Sequence, residues 1–215
     1  MEIIITIKDI SLIIGIWVAI YGIDSWRREH AGKRQIELAE ETLGLFYEAR
    51  DAISYIRFPA TIENVPSDIE LRDKETENEF KARIDANVVF CRYNEYRELF
   101  NKIHSMRYRF MAQIAEGNTK QFEDLRSIIN EIFISAKMLA KLWPRNYFKN
   151  EIQWQNYRKH VEKHESIFWD SMKEDDPINK KVEKAIEEME NICKNIIAGK
   201  GTIFHILNKP FFRKR

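Results

Sequence analysis

Apolar residues recur along most of this chain at alternating spacings of three and four, the period of an amphipathic helix. After an apolar N-terminal stretch, Ile36, Ala39, Leu43, Phe46, Arg50 and Ile53 predict a helix that continues to about Phe58. Pro59 stops it, because proline has no N–H to donate and restricts the residue before it. A loop over 59–66 follows, and Ser67 with Glu70 has the spacing of a capping box. The next helix is predicted to begin between Ser67 and Asn78 and to end at Glu116, with Val89, Tyr93, Tyr96, Phe100, Ile103, Phe110 and Ile114 on its stripe and Arg107 in sequence. Gly117-Asn118 is its stop signal. The cleanest pattern is Phe122, Leu125, Ile129, Ile132, Ala136, Leu139 and Trp143, widened by Ile128, Phe133, Met138 and Leu142. A helix this broadly apolar over Thr119–Trp143 should be central to its fold.

Two more helices complete the reading. One covers about Asn150 to Met172, with Trp154, Tyr157, Val161, His164 and Phe168 on one side. The other starts where Asp176 can act as N-cap and Pro177 can occupy the first helical position. It carries Ile178, Val182, Ala185, Met189, Ile192 and Ile196 and ends at Gly199-Lys200-Gly201. The expected fold is all-α: an N-terminal transmembrane helix over 1–26, a mainly antiparallel bundle of about five helices over 27–200, and an apolar-then-basic tail over 201–215. Acidic positions of the first bundle helix (Glu37, Glu40, Glu41, Glu48, Asp51) and basic positions of the second (Arg92, Arg97, Lys102, Arg107, Arg109) are expected near each other, within a chain or between chains, which makes Arg50 a paired seam residue.

The N-terminal stretch MEIIITIKDISLIIGIWVAIYGIDSW is read as one membrane helix. Its uninterrupted run, Ile10–Ile23, covers roughly 21 Å at about 1.5 Å per residue, short of a hydrocarbon core of roughly 30 Å. Adding Ile3–Ile7 supplies the length and brings Lys8 and Asp9 into the span, where Lys8 can snorkel and Asp9 can face a bundle interior. Ser11, Gly15, Ala19 and Gly22 share one face, and such small-residue faces let helix backbones approach closely in lipid. Arg27, Arg28, Lys33 and Arg34 follow the run, so the positive-inside tendency places the N-terminus outside and the remaining chain in the cytoplasm of a bacterial inner membrane. The acidic start Met1-Glu2 and the absence of a small-x-small cleavage site argue against a cleaved signal peptide. The basic tail, Phe211 to Arg215, can touch an anionic leaflet.

Composition narrows the function classes. With 215 residues and a formal net charge of +1, the chain is not a dedicated polyanion binder. Glycine and proline are few and charge is abundant, which suits long helices. Cys91 and Cys193 are too few and too far apart for a disulfide framework, and in a cytoplasmic domain both should be reduced and packed. No Walker loop, Rossmann glycine pattern, paired CxxC or nucleophile elbow occurs, so no cofactor is implied.

Three chemical candidates stand beside this picture. Arg97 with His104, and Arg158 with His164, have the spacing of the Arg/His pair of HEPN-type ribonucleases. There, histidine would move protons during attack of a ribose 2′-hydroxyl and arginine would stabilise the phosphorane. With five histidines and many arginines such spacings arise by chance. His160 and His164, at i and i+4, can reach one metal ion from one helix face, yet no second ligand cluster accompanies them. The segment RYNEYRELFNKIHSMRYRF interleaves arginines with aromatics and would suit nucleic acid, but its aromatics fall at core spacing.

The segments YGIDSWRREHAGKRQIELAEETLGLFYEARDAISYIRFP, FNKIHSMRYRFMAQ and HESIFWD together resemble small bacterial membrane-anchored helical proteins of uncharacterised function. That resemblance covers Tyr21 to about Ile197 and implies no activity. In layout, and in the Arg158/His164 spacing, the chain is also similar to the membrane-associated HEPN-like accessory protein of RNA-targeting CRISPR systems, which implies oligomeric assembly and antiviral defence. The expectation is a non-enzymatic, self-associating, membrane-anchored bundle acting as scaffold or membrane-perturbing effector. Its partners would be the lipid bilayer and copies of itself. A HEPN-type ribonuclease and a helical adaptor for a protein partner are the alternatives.

Overall fold

The computed structural model describes residues 2–59, 70–114, 119–144 and 148–198, with side chains described from Leu12 onward. All regular structure among these residues is helical: α1 (Glu2–Arg57), α2 (Glu77–Glu95), α3 (Arg97–Gln113), α4 (Lys120–Leu142), α5 (Glu151–Phe168) and α6 (Pro177–Ile197). The all-α expectation holds. The chain divides into two compact units, Met1–Glu41 with Lys194–Arg215, and Thr42–Cys193.

Helix α4 is the centre of the larger unit and packs against α2 on one side and α5 on the other. Its buried residues include Phe122, Leu125, Ile128, Ile129, Ile132, Ala136, Leu139 and Leu142, the broad stripe read from the sequence. Trp143 and Phe133 are half-buried and Met138 is exposed, so the stripe is narrower at its edges than the pattern suggested. Phe122 meets both Phe46 of α1 and Phe110 of α3 edge-on, at centroid distances of 5.1 and 5.6 Å. Such geometry sets the negative ring face against a positive ring edge.

The single long helix expected to end at Glu116 is two helices. Tyr96, with φ −103° and ψ 12°, is at once C-cap of α2 and N-cap of α3. Apolar periodicity passes through the break, because Tyr93, Phe100 and Ile103 remain on inward faces; period alone cannot register a bend that keeps the same side inward. The capping box of α2 is Thr76–Glu79, not Ser67–Glu70: Thr76 Oγ1 accepts from Glu79 N, while Glu79 accepts from Thr76 N. Ser67 lies outside the described residues, as do Glu116, Gly117-Asn118 and the tail over 201–215.

The buried side of α1 is displaced by about one residue from the predicted stripe. Thr42, Phe46, Ala49, Ala52, Ile53 and Ile56 are buried, whereas Leu43 and Arg50 are half-buried. Arg50 pairs with its neighbour Asp51 at 3.1 Å instead of crossing a helix seam. Small residues explain the displacement: Thr42, Ala49 and Ala52 carry little apolar weight in a sequence pattern but permit close helix approach. Glu48 of α1 and Lys102 of α3 line one surface groove, so two members of the predicted acidic and basic faces are neighbours.

The fully buried arginine is Arg57, at the last turn of α1. Its Nε donates to Ile167 O, Nη1 to Asp176 Oδ1 and Asn179 Oδ1, and Nη2 to Asp176 Oδ2, Ser166 O and Trp169 O, all at 2.8–3.0 Å. Asp176 in turn caps α6, accepting from Ile178 N and Asn179 N, as its sequence position before Pro177 predicted. Burial pushes the Asp176 carboxyl up, but the bonds from Arg57, Asn179 and Ser171 outweigh it and hold the group at about 2. Arg92 of α2, also buried, donates to the carbonyls of Tyr55, Ile56 and Phe58 and so closes the C-terminus of α1. The last carbonyls of a helix lack partners within it, and here Tyr55 O also accepts from Phe58 N at 3.2 Å.

Candidate functional site

Every described residue from Leu12 to Ala31 is exposed. Leu12, Ile16, Val18, Ile20 and Ile23 each show more than half of their surface, and Trp17 shows 71%. These residues lie on all sides of the helix, not on one stripe. A helix apolar all round belongs in an apolar surrounding. Trp17 and Tyr21 stack with centroids 6.1 Å apart, and Trp26 stacks on His30 at 5.5 Å, so aromatic rings mark the run where it meets Asp24 and Arg28. Asp24 and Arg28 form an ion pair one turn apart. A Cβ built on Gly15 or Gly22 meets nothing within 4 Å, so the face they share with Ala19 is open. Ser11, Lys8 and Asp9 lie outside the described side chains.

Among the described residues, no helix is long and apolar enough to cross a membrane. The reason is length: Leu12–Ile23 covers ~18 Å of helix before Asp24 interrupts it. Crossing on this segment therefore depends on Ile3–Ile7 and Ile10, whose side chains are not described.

The Arg/His candidates all lie on the larger unit, and the fold treats them differently. Arg97 and His104 are both exposed on α3, seven positions apart, which is nearly two turns or ~10 Å along the axis. His104 stands edge-on to Tyr108, with centroids 5.5 Å apart. On α5, Arg158 is exposed and pairs with Glu162 at 2.9 Å. His164 is half-buried and shares a 3.1 Å hydrogen bond between its Nδ1 and Ser135 Oγ of α4. Six positions separate the two residues, about 240° around the helix. Burial, with help from Lys163 and His160, pushes the His164 imidazole down from its ordinary value. Within one chain, neither pair converges on a common atom.

His160 is exposed, with its ring beside Tyr157. No group of three or more metal-ligating side chains occurs among the described residues. Cys193 is buried and Cys91 half-buried, and both are free thiols. Burial pushes the Cys193 thiol up to about 11, which makes it a poor nucleophile.

The sequence reading missed Arg57 and Arg92, the two arginines buried among the described residues. For Arg57 a signal exists: it follows Ile56 on the buried side, in the last turn, where a cation complements the helix carbonyls. For Arg92 the signal is weaker, because its role depends on a helix terminus distant in sequence. Against family models, curated proteins and solved structures alike, the chain shows no significant match.

Proposed function

We propose that this chain is a non-enzymatic, membrane-anchored protein whose N-terminal apolar helix lies in lipid and associates with copies of itself, while the Thr42–Cys193 unit serves as a scaffold presented at the membrane. The observation that carries this reading is the all-round exposure of apolar side chains from Leu12 to Trp26. Nothing described in the chain covers them, and a continuous apolar surface on that scale marks a contact with lipid or protein. Arg27, Arg28, Lys33 and Arg34 lie immediately after the run and suit an anionic cytoplasmic leaflet, with the N-terminus on the outer side. Ile3–Ile7 provides the remaining length, with Lys8 and Asp9 then in the span. The small face Ser11, Gly15, Ala19 and Gly22 is the proposed contact between subunits. Anchoring raises the local concentration of each subunit for the others. A membrane-perturbing role in defence is the form of this proposal in which Lys8 and Asp9 line a polar path.

The ribonuclease alternative draws no support from the fold of one chain, since Arg158 is engaged by Glu162 and His164 by Ser135. In-membrane crosslinking of the full-length chain tests the proposal. Gly15→Leu and Ala19→Leu are expected to abolish the crosslinked oligomer while helix content by circular dichroism stays unchanged. Oligomers of unchanged size in both variants reject it.

A further inference from the structure

A cleft of about 240 Å³ opens between α3 and α4 in the larger unit. One wall is aromatic. Tyr93 and Phe100 stack with centroids 5.1 Å apart and an interplanar angle of 19°, and Phe133 meets Tyr93 edge-on at 4.9 Å. The rings therefore hold one another in place as one aromatic wall. The polar side carries His104, Arg107 and Arg126 against the one carboxylate of Glu123. Two guanidinium groups and one carboxylate line this side, which leaves an excess positive charge.

Arg107 supplies the second, independent observation. Its Nη1 pairs with Glu123, and its buried Nε has no hydrogen-bond acceptor among the described residues. Buried donors without acceptors are rare and costly, because the group has lost water and gained nothing. Arg107 and Arg126 outnumber the Glu123 carboxylate on this side of the cleft, and that surplus favours an anionic ligand. Guanidinium groups bind carboxylates and phosphates through just such additional N–H groups.

We propose that this cleft binds a small organic oxyanion, a carboxylate or a phosphomonoester, with its flat apolar body against Tyr93, Phe100 and Phe133 and its oxygens on Arg107 and Arg126. Size limits the ligand to about one ring, since the cleft lies below the ~300–1,000 Å³ typical of sites for drug-sized ligands. A nucleic-acid strand needs a groove with successive stacking platforms along a backbone track, and a cleft of this volume favours a single small molecule. The site belongs wholly to Thr42–Cys193 and stands whether or not the N-terminal helix enters lipid.

Calorimetric titration of the full-length chain in mild detergent tests it, with benzoate, phenyl phosphate, inorganic phosphate and benzyl alcohol as probes. Benzoate or phenyl phosphate should bind saturably at one molecule per chain, and at least about tenfold more tightly than inorganic phosphate or benzyl alcohol. The tighter of the two identifies the head group. Arg107→Lys should weaken that binding by about tenfold or more, with circular dichroism unchanged. Arg126→Gln, at an exposed rim position, should weaken it several-fold and keeps the test open if Arg107→Lys perturbs folding. Absence of saturable binding by both anions overturns the proposal. So does equal binding of benzyl alcohol, binding that Arg126→Gln leaves intact, or tighter binding of a short oligouridylate than of either small anion.

Discussion

Within helix α1, Arg57 is fully buried and makes six hydrogen bonds, whereas every residue from Leu12 to Ala31 is exposed. One region answers an unfavourable burial from within the chain. All five guanidinium N–H groups find acceptors, and the partner carboxylate is itself the cap of α6. The other region presents apolar surface that no described residue of the chain covers. The contrast separates self-sufficient structure from surface that calls for an outside partner, and each side of it can be broken independently.

Arg57→Met should have the largest effect. It strands Asp176 as a buried charge and should cost about 3–5 kcal/mol in urea unfolding of the larger unit. A loss below ~1 kcal/mol would mean the hub does not lock α1 to the α5–α6 connection. Arg57→Met combined with Asp176→Leu should recover part of the loss, because the pair then leaves no uncompensated charge. The same carboxylate has an acid signature. With its value at about 2 in the fold and ~3.9 when unfolded, its stabilisation is complete above the unfolded value and disappears as pH falls towards the folded one.

Ile16→Lys attacks the other side. A lysine near the centre of a lipid-embedded helix costs about 2.5–3.5 kcal/mol, so the membrane-bound fraction should fall while urea unfolding of the larger unit stays unchanged. A shift in unfolding without a shift in membrane binding would reverse the roles assigned to the two regions. Thr76→Ala removes the α2 capping box and should cost ~1 kcal/mol with no effect on membrane binding.

His164 gives the smallest effect. Its folded-state value is lowered, so the stability it confers is present above the unfolded value of ~6.5 and declines as pH falls below it. His164→Phe should flatten the decline in urea midpoint between pH 7.5 and 5.5, roughly the window below which the wild type weakens. An unchanged slope would assign that decline to other groups.

Much of the helical order was legible because it rests on local signals. The α4 stripe and the Asp176-Pro177 start each depend on residues close in sequence; both occur, the stripe narrower at its edges than the pattern suggested. What escaped depends on distance. Tyr96 interrupts a helix without interrupting its apolar face, so periodicity could not report the break. Arg50 stood out because it interrupts a predicted stripe, but the buried side contains Ala49, whose small side chain gave little signal. Arg57 and Asp176 are 119 positions apart, and no local pattern joins them. The α3–α4 cleft was visible only as a segment of mixed arginines and aromatics; Glu123, which engages Arg107, comes from the next helix.

Carbonate extraction of membranes from cells expressing the full-length chain tests the central claim most directly. The account predicts retention in the membrane pellet at alkaline pH, lost on Ile16→Lys. Quantitative release of the wild-type chain as a freely water-soluble monomer would contradict it.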